Sequence, residues 1–194
     1  MRSQFFLWIG ILGALFQACQ QSNYVPKPRG YHRIEFPDRQ YQSISKDDCS
    51  YTFEIPHYSQ LTQDHSRHAK PCWKNLDFPQ FNARLHLSYY SINSEVTLAQ
   101  LSEDARKFAF THTTKATSID QQQINLPGSD VYGLEYSIQG NTASNYQFYI
   151  TDSSRHYLRG ALYFNEKPNL DSIQPVLEFL KEDIQYLIST VKWQ

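Results

Sequence analysis

An α+β fold is predicted, with one antiparallel sheet packed by two long helices. Three features predict it. Aromatic side chains are abundant, 14 Tyr and 12 Phe against one Met, and such residues suit a pleated, half-buried surface. Four stretches alternate apolar and polar residues with the period of a strand. Two others repeat apolar residues at helical spacing, which completes an α+β sandwich.

The 194 residues suffice for one domain with a real core. Residues 1–18 read as a leader, 19–45 as a tether and strap, and 46–194 as the domain. In the strap, Val25-Pro26-Lys27-Pro28-Arg29-Gly30 runs extended, because each proline fixes φ and pushes its predecessor out of the helical region. Tyr31, Ile34, Phe36 and Tyr41 mark a segment that lies against the domain. Tyr51–Ile55 is a short strand ended by Pro56, and residues 57–80 read as a polar loop. Phe81–Ile92 is the clearest strand. Ala83, Leu85, Leu87 and Tyr89 fall on its buried face, and Asn82, Arg84, His86 and Ser88 on its wet one. Thr97-x-x-Gln100 is a capping box that opens a helix. Leu98, Leu101, Ala105 and Phe108 form its apolar stripe, which fades near His112–Lys115.

A meander follows. Tyr132, Leu134, Tyr136 and Ile138 alternate, then Tyr146, Phe148 and Ile150, then Leu158, Gly160, Leu162 and Phe164. Gly140-Asn141 and Asp152–Arg155 are the turns between these strands. The second helix starts near Asp171 with Pro175 in its first turn. Ile173, Leu177, Leu180, Ile184, Leu187 and Val191 make one stripe down it, aimed at the meander. The layout resembles the Mog1/PsbP-like sandwich, an analogy of fold that carries no function.

The first segment, MRSQFFLWIGILGALFQAC, has one positive charge at Arg2 and an apolar stretch from Phe5 to Phe16. That stretch is too short to span a bilayer, for which ~20 residues are needed. Its length and flanks fit an export signal. Ala18-Cys19 sets a small residue before a cysteine, as in a lipobox, although Phe16 stands where leucine is usual. Acylation of Cys19 would then hold the protein on a membrane. No acidic residue follows in Gln20-Gln21-Ser22-Asn23, which favours a position facing the periplasm. Two cysteines remain, Cys49 and Cys72. In an exported chain such a pair reads as a disulfide. A Cys2His2 site of Cys49, His65, His68 and Cys72 can also be drawn, with a spacing unlike a standard finger.

Lys and Arg total 18 against 19 Asp and Glu, so a nucleic-acid partner is not expected. No Gly-x-Ser-x-Gly elbow, phosphate-cradling glycine loop or His-Glu-x-x-His pattern occurs, and no enzyme, cofactor or metal is expected. His86 and Glu135, each on the polar side of a strand, are the pair from which an acid–base site could be drawn. A cross-strand charge pair is the plainer reading of Glu135.

Several segments resemble the gliding motility lipoprotein GldD family of the Bacteroidetes. They are Pro28-Arg29-Gly30-Tyr31-His32-Arg33-Ile34, Tyr51-Thr52-Phe53-Glu54-Ile55-Pro56, Pro71-Cys72-Trp73, Phe78 through Tyr89, and His112-Thr113-Thr114-Lys115-Ala116. The histidine-rich stretch at 57–70 departs from the family. The resemblance implies a non-catalytic lipoprotein subunit or assembly factor of the gliding and type IX secretion apparatus. Its partners would be the membrane, through the lipid, and other envelope proteins. Arg29, Tyr31, Trp73, Asn82 and His86 are the candidate contact surface. The competing expectation is a periplasmic lipoprotein that binds a ligand or glycan on its aromatic sheet.

Overall fold

The computed structural model describes residues 33–44 and 49–194. Strands β1 (Tyr41–Ser43), β2 (Tyr51–Thr52), β3 (Glu54–Pro56), β4 (Gln60–Gln63), β5 (Lys74–Phe78) and β6 (Ala83–Ser91) come first. Helix α1 (Leu98–Phe110) follows, then β7 (Ala116–Leu126), β8 (Val131–Gly140), β9 (Tyr146–Thr151), β10 (His156–Phe164), α2 (Leu170–Ser189) and β11 (Lys192–Trp193). The main sheet has the order β4-β5-β6-β10-β9-β8-β7, and every pair is antiparallel. Two small ladders flank it, β1 with β3 and β11 with β2. The expected α+β class, an antiparallel sheet with two long helices, is the class observed.

The helices take opposite faces of the sheet. On one face α2 buries Val176, Leu177, Leu180, Ile184, Leu187 and Ile188 against Leu85, Leu87, Phe148, Ile150, Leu158 and Leu162. On the other, α1 sets Ala109 against Tyr136 and Ile138, and the Tyr157 hydroxyl donates to the Leu101 carbonyl at 2.9 Å. The capping box forms as its residues predict. Gln100 N–H donates to Thr97 Oγ1 at 3.3 Å, and Thr97 N–H to Gln100 Oε1 at 3.1 Å.

Four local expectations are corrected, and one strand, β7, falls where no element was expected. Residues 57–80 hold β4 and β5 instead of a loop. Leu76 and Phe78 are fully buried, while Asn75 and Asp77 point to the other face, so β5 carries a period of two over only five residues. Strand β7 occupies a stretch with no strong pattern, Asp120-Gln121-Gln122-Gln123. It sits at the sheet edge, where backbone pairing with β8 suffices and side chains stay exposed. Phe108 is 54% exposed. Small residues, Ala105 and Ala109, make the close approach to the sheet in its place. Helix α2 starts at Leu170, held by its N–H donating to Asn141 Oδ1 at 2.8 Å. Pro175 therefore lies in the second turn. Glu135, expected on a wet face, is 4% exposed, because α2 covers that side of β8. There its Oε2 accepts from the Tyr146 hydroxyl at 2.6 Å, and Lys181 Nζ stands 3.8 Å from Oε1.

The strap residues 34–44 lie on α2. Phe36 stacks on Phe179 with centroids 4.5 Å apart, and Tyr41 on Tyr186 at 3.8 Å. Between them sits Asp183, 1% exposed in the apolar stripe of α2. Its Oδ1 accepts from Arg39 Nε at 3.2 Å and from the Tyr41 hydroxyl at 2.7 Å, and its Oδ2 accepts from the Tyr58 hydroxyl. Cys49 and Cys72 are joined as a disulfide, Cα–Cα 5.5 Å, which ties the start of β2 to the loop before β5.

Gly160 in β10 is fixed by packing. A Cβ built there would lie 2.1 Å from the Phe148 ring, and that ring is 1% exposed and cannot swing away. Gly160→Ala is expected to cost about 2 kcal/mol, read as a lowered urea midpoint. At the β9–β10 turn, Asp152 Oδ1 accepts from the N–H groups of Ser154, Arg155 and His156 at 3.0, 2.8 and 2.8 Å. Burial alone would raise this carboxyl, but the backbone donors outweigh it and bring its pKa to about 2. A depressed folded value contributes stability above the ordinary 3.8 that is lost as pH falls towards 2. Asp152→Asn is expected to flatten the acid limb of the stability profile in that window, measured by urea titrations at stepped pH.

Candidate functional site

The register sets side chains of six strands in rows on the face that α1 shares. One row runs Thr62, Asn75, His86, Ala161, Gln147 and Tyr136. Beside it on one side run Gln60, Asp77, Arg84 and Tyr163, and on the other Ser88, Arg159, Tyr149 and Leu134. Helix α1 covers the β8–β10 part, so the patch over β5, β6 and the near side of β10 stays partly open.

Most polar groups of this patch have partners. His86 Nδ1 lies 2.7 Å from Asn75 Oδ1, and its ring meets Tyr163 edge-on with centroids 5.4 Å apart. Burial chiefly, then the charges of Arg84 and Arg159, hold the His86 imidazole below its ordinary pKa. Arg84 Nε donates to Asp77 Oδ1 at 2.5 Å. Arg159 Nη2 donates to Gln147 Oε1 at 2.7 Å, and the Phe108 ring stacks on its guanidinium at 4.7 Å from the centroid.

His86 and Glu135 occupy opposite faces of the sheet. Glu135 pairs across β9 with Phe148, in the core beneath α2, whereas His86 pairs across β10 with Ala161 in the open row. The acid–base pair drawn from sequence is therefore not brought together. The Cys2His2 alternative loses both sulfur ligands to the disulfide. Among the described residues no three His, Cys, Asp or Glu side chains gather closely enough to hold a metal ion.

Cys19, Arg29 and Tyr31 lie outside the described residues. Trp73, Asn82 and His86 are not neighbours. Trp73 Nε1 donates to the Tyr89 carbonyl at 2.9 Å beside the disulfide. Asn82 takes the left-handed turn before β6, with φ 48°, and its Nδ2 donates to Glu166 Oε1 at 2.9 Å. Six residues of extended strand, about 20 Å, separate Asn82 from Ser88, the row level with Trp73. Arg159 and Gln147 were missed in the sequence. The signal was Arg159 inside the apolar run Tyr157-Leu158-Arg159-Gly160-Ala161-Leu162, where a strand buried on both faces has no place for an idle charge.

Fold and face define a disulfide-braced α+β domain that leaves one polar patch of its sheet partly open. No curated protein matches the chain. The chain belongs to the gliding motility lipoprotein GldD family, which it matches over residues 21–193. It is thus a gliding motility-associated lipoprotein. Among solved structures it is similar to cyanobacterial PsbP (CyanoP) from Synechocystis sp. PCC 6803, at 15% identity. That likeness covers 81% of this chain and 95% of the other, with a TM-score of 0.48.

Proposed function

We propose that the chain is a non-catalytic subunit or assembly factor of the gliding motility and type IX secretion apparatus. It is exported by residues 1–18, acylated at Cys19 and held on the envelope facing the periplasm. The family match over residues 21–193 carries this reading. Three observations support it. The Cys49–Cys72 disulfide suits an oxidising compartment. No helix among the described residues is long and apolar enough to cross a membrane, which is compatible with attachment through the lipid. Two titratable groups of the open patch are tied to structural neighbours, His86 to Asn75 and Arg84 to Asp77. Within this role the contact surface centres on His86. Trp73 and Asn82 hold their loops, and Arg29 and Tyr31 remain contact candidates on the tether.

The test is deletion of the gene in its own host, scoring colony spreading and the proteins released to the medium together. Loss of both, restored by the wild-type gene but not by Cys19→Ala, is the expected result. Normal spreading with a normal set of released proteins would overturn the reading.

A further inference from the structure

Among the described residues Arg159 has no counterion. It lies inside the sheet between β6 and β9, and among the described residues it makes no ion pair. Its one hydrogen bond there runs from Nη2 to the neutral Gln147 amide at 2.7 Å. The groups that act on it most, after its own burial, are the phenols of Tyr163, Tyr157, Tyr90 and Tyr136, with no carboxylate among them. Arg159 is half-buried, and a guanidinium drawn partly out of water gains from a carboxylate or phosphate on its fork. The two other arginines on this side are satisfied, Arg84 by Asp77 at 2.5 Å and Arg106 by Glu103 at 2.9 Å.

A second observation is independent of the first. Gln147 is 2% exposed. Its Oε1 serves Arg159, and its Nε2, on the same planar group, is buried with no hydrogen-bond partner among the described residues. A buried amide donor left unpaired costs roughly 1–3 kcal/mol, a defect that native folds rarely keep without a use. The site therefore holds two donor groups, one charged and one orphaned, and no acceptor charge to meet them. The excess positive potential reaches two further elements. Burial first, and then the charge of Arg159, lowers the pKa of His112 just beyond α1, and the same charge adds to the lowering at His86 on β6.

We propose that Arg159, with Gln147 behind it and Phe108 at its rim, is the binding site for a single carboxylate carried on an apolar or aromatic group. The planar fork of a guanidinium matches the two oxygens of a carboxylate. A phosphate dianion calls for more positive charge than one arginine supplies, and burial first, then the arginine charges, lowers the pKa of the neighbouring His86 and His112. Phe108 is 54% exposed and already covers one side of the guanidinium, while Tyr90 stands on the adjacent strand β6 and Tyr163 four residues further along β10 itself. The substituent of the ligand would rest against these rings. This assignment does not depend on the apparatus proposed above, and it gives the aromatic sheet face a definite chemical preference.

The test uses the full-length acylated protein in detergent micelles, labelled with nitrogen-15, and follows the arginine Nε–H resonance of Arg159. The probes are phenylacetate, a short aromatic peptide with a free C-terminal carboxylate, the same peptide amidated, the amidated peptide with one glutamate, and inorganic phosphate. Phenylacetate and the free-carboxylate peptide are expected to shift the resonance saturably, and the plain amide to leave it still. Binding of phenylacetate alone identifies a small carboxylate as the source. Binding of the glutamate peptide as well identifies an acidic side chain of a partner. Arg159→Lys, followed by the ligand-induced shifts of neighbouring amides, is expected to weaken binding about tenfold or more, since it keeps the charge and loses the fork. Gln147→Glu supplies the missing counterion internally, so it is expected to abolish binding and raise the melting temperature. The proposal is overturned if no carboxylate gives a saturable shift, if amide or phosphate binds as well as the acid, or if Arg159→Lys binds unchanged. It is equally overturned if Gln147→Glu leaves both binding and melting as in the wild type.

Discussion

Removing the two phenolic hydroxyls from Asp183, as Tyr41→Phe with Tyr58→Phe, is expected to destabilise the domain by about 3 kcal/mol. The carboxylate is 1% exposed, and these hydroxyls with Arg39 Nε are its donors. Without them a charge stays buried with one partner, and that partner is shared with Glu182, 2.7 Å from Arg39 Nη2. Adding Asp183→Leu should return most of the loss, because an apolar residue there continues the stripe of Leu180 and Ile184. Urea unfolding of the four variants closes the cycle, and strictly additive effects would show that the groups do not act together. Titration gives a second readout. Burial first, and then the hydrogen bond to Asp183, raises the pKa of both tyrosines above the ordinary 10.0. Groups raised in the folded state contribute stability below that value, and the contribution is lost as pH climbs past it. The double phenylalanine variant should therefore show a flatter alkaline limb.

Opening the disulfide by Cys49→Ala with Cys72→Ala is expected to cost about 3 kcal/mol, from loop entropy returned to the unfolded chain. The bridge spans 23 residues, including β4 and the histidine-bearing loop. A backbone penalty is present in the wild type and the alanine variant alike, since Cys72 stands at φ 65°, where a residue with a Cβ is disfavoured by ~1–2 kcal/mol, and only glycine removes it. Cys49→Ala with Cys72→Gly should therefore be the milder variant. Thermal melts with and without reductant check both points. The wild type should fall to a lower midpoint under reduction, and the variants should not move.

What the sequence made legible follows from how much each element must say by itself. Strand β6 has nine residues with one face buried and one partly wet, so Leu85 and Leu87 against Arg84 and His86 announce it. Strand β5 has five, three of them polar, and is held by neighbours that the pattern does not name. Edge strand β7 needs only backbone pairing and left no apolar signature. Glu135 was misplaced because alternation reports solvent only when one face of a sheet is bare, and here a helix lies on each face. Arg159 was readable as a charge inside an apolar run, and Asp183 as a charge that helical spacing sets on the apolar stripe of α2. Their partners were not, because Gln147, Tyr41 and Tyr58 arrive from distant strands and the strap.

The β2–β11 ladder bears on when this domain can close. Lys192 pairs with Thr52 and Trp193 with Tyr51, and Gln194 N–H donates to the Ser50 carbonyl at 3.0 Å. Residues 50–52 thus find their final neighbours only after 192–194 are available, so a chain threading N-terminus first through a translocation channel cannot finish folding part-way. Contacts of such long sequence separation also slow the search for the native state. On the export route proposed above, together they favour a chain that stays open through passage and closes on the far side, with residues 192–194 acting as the latch.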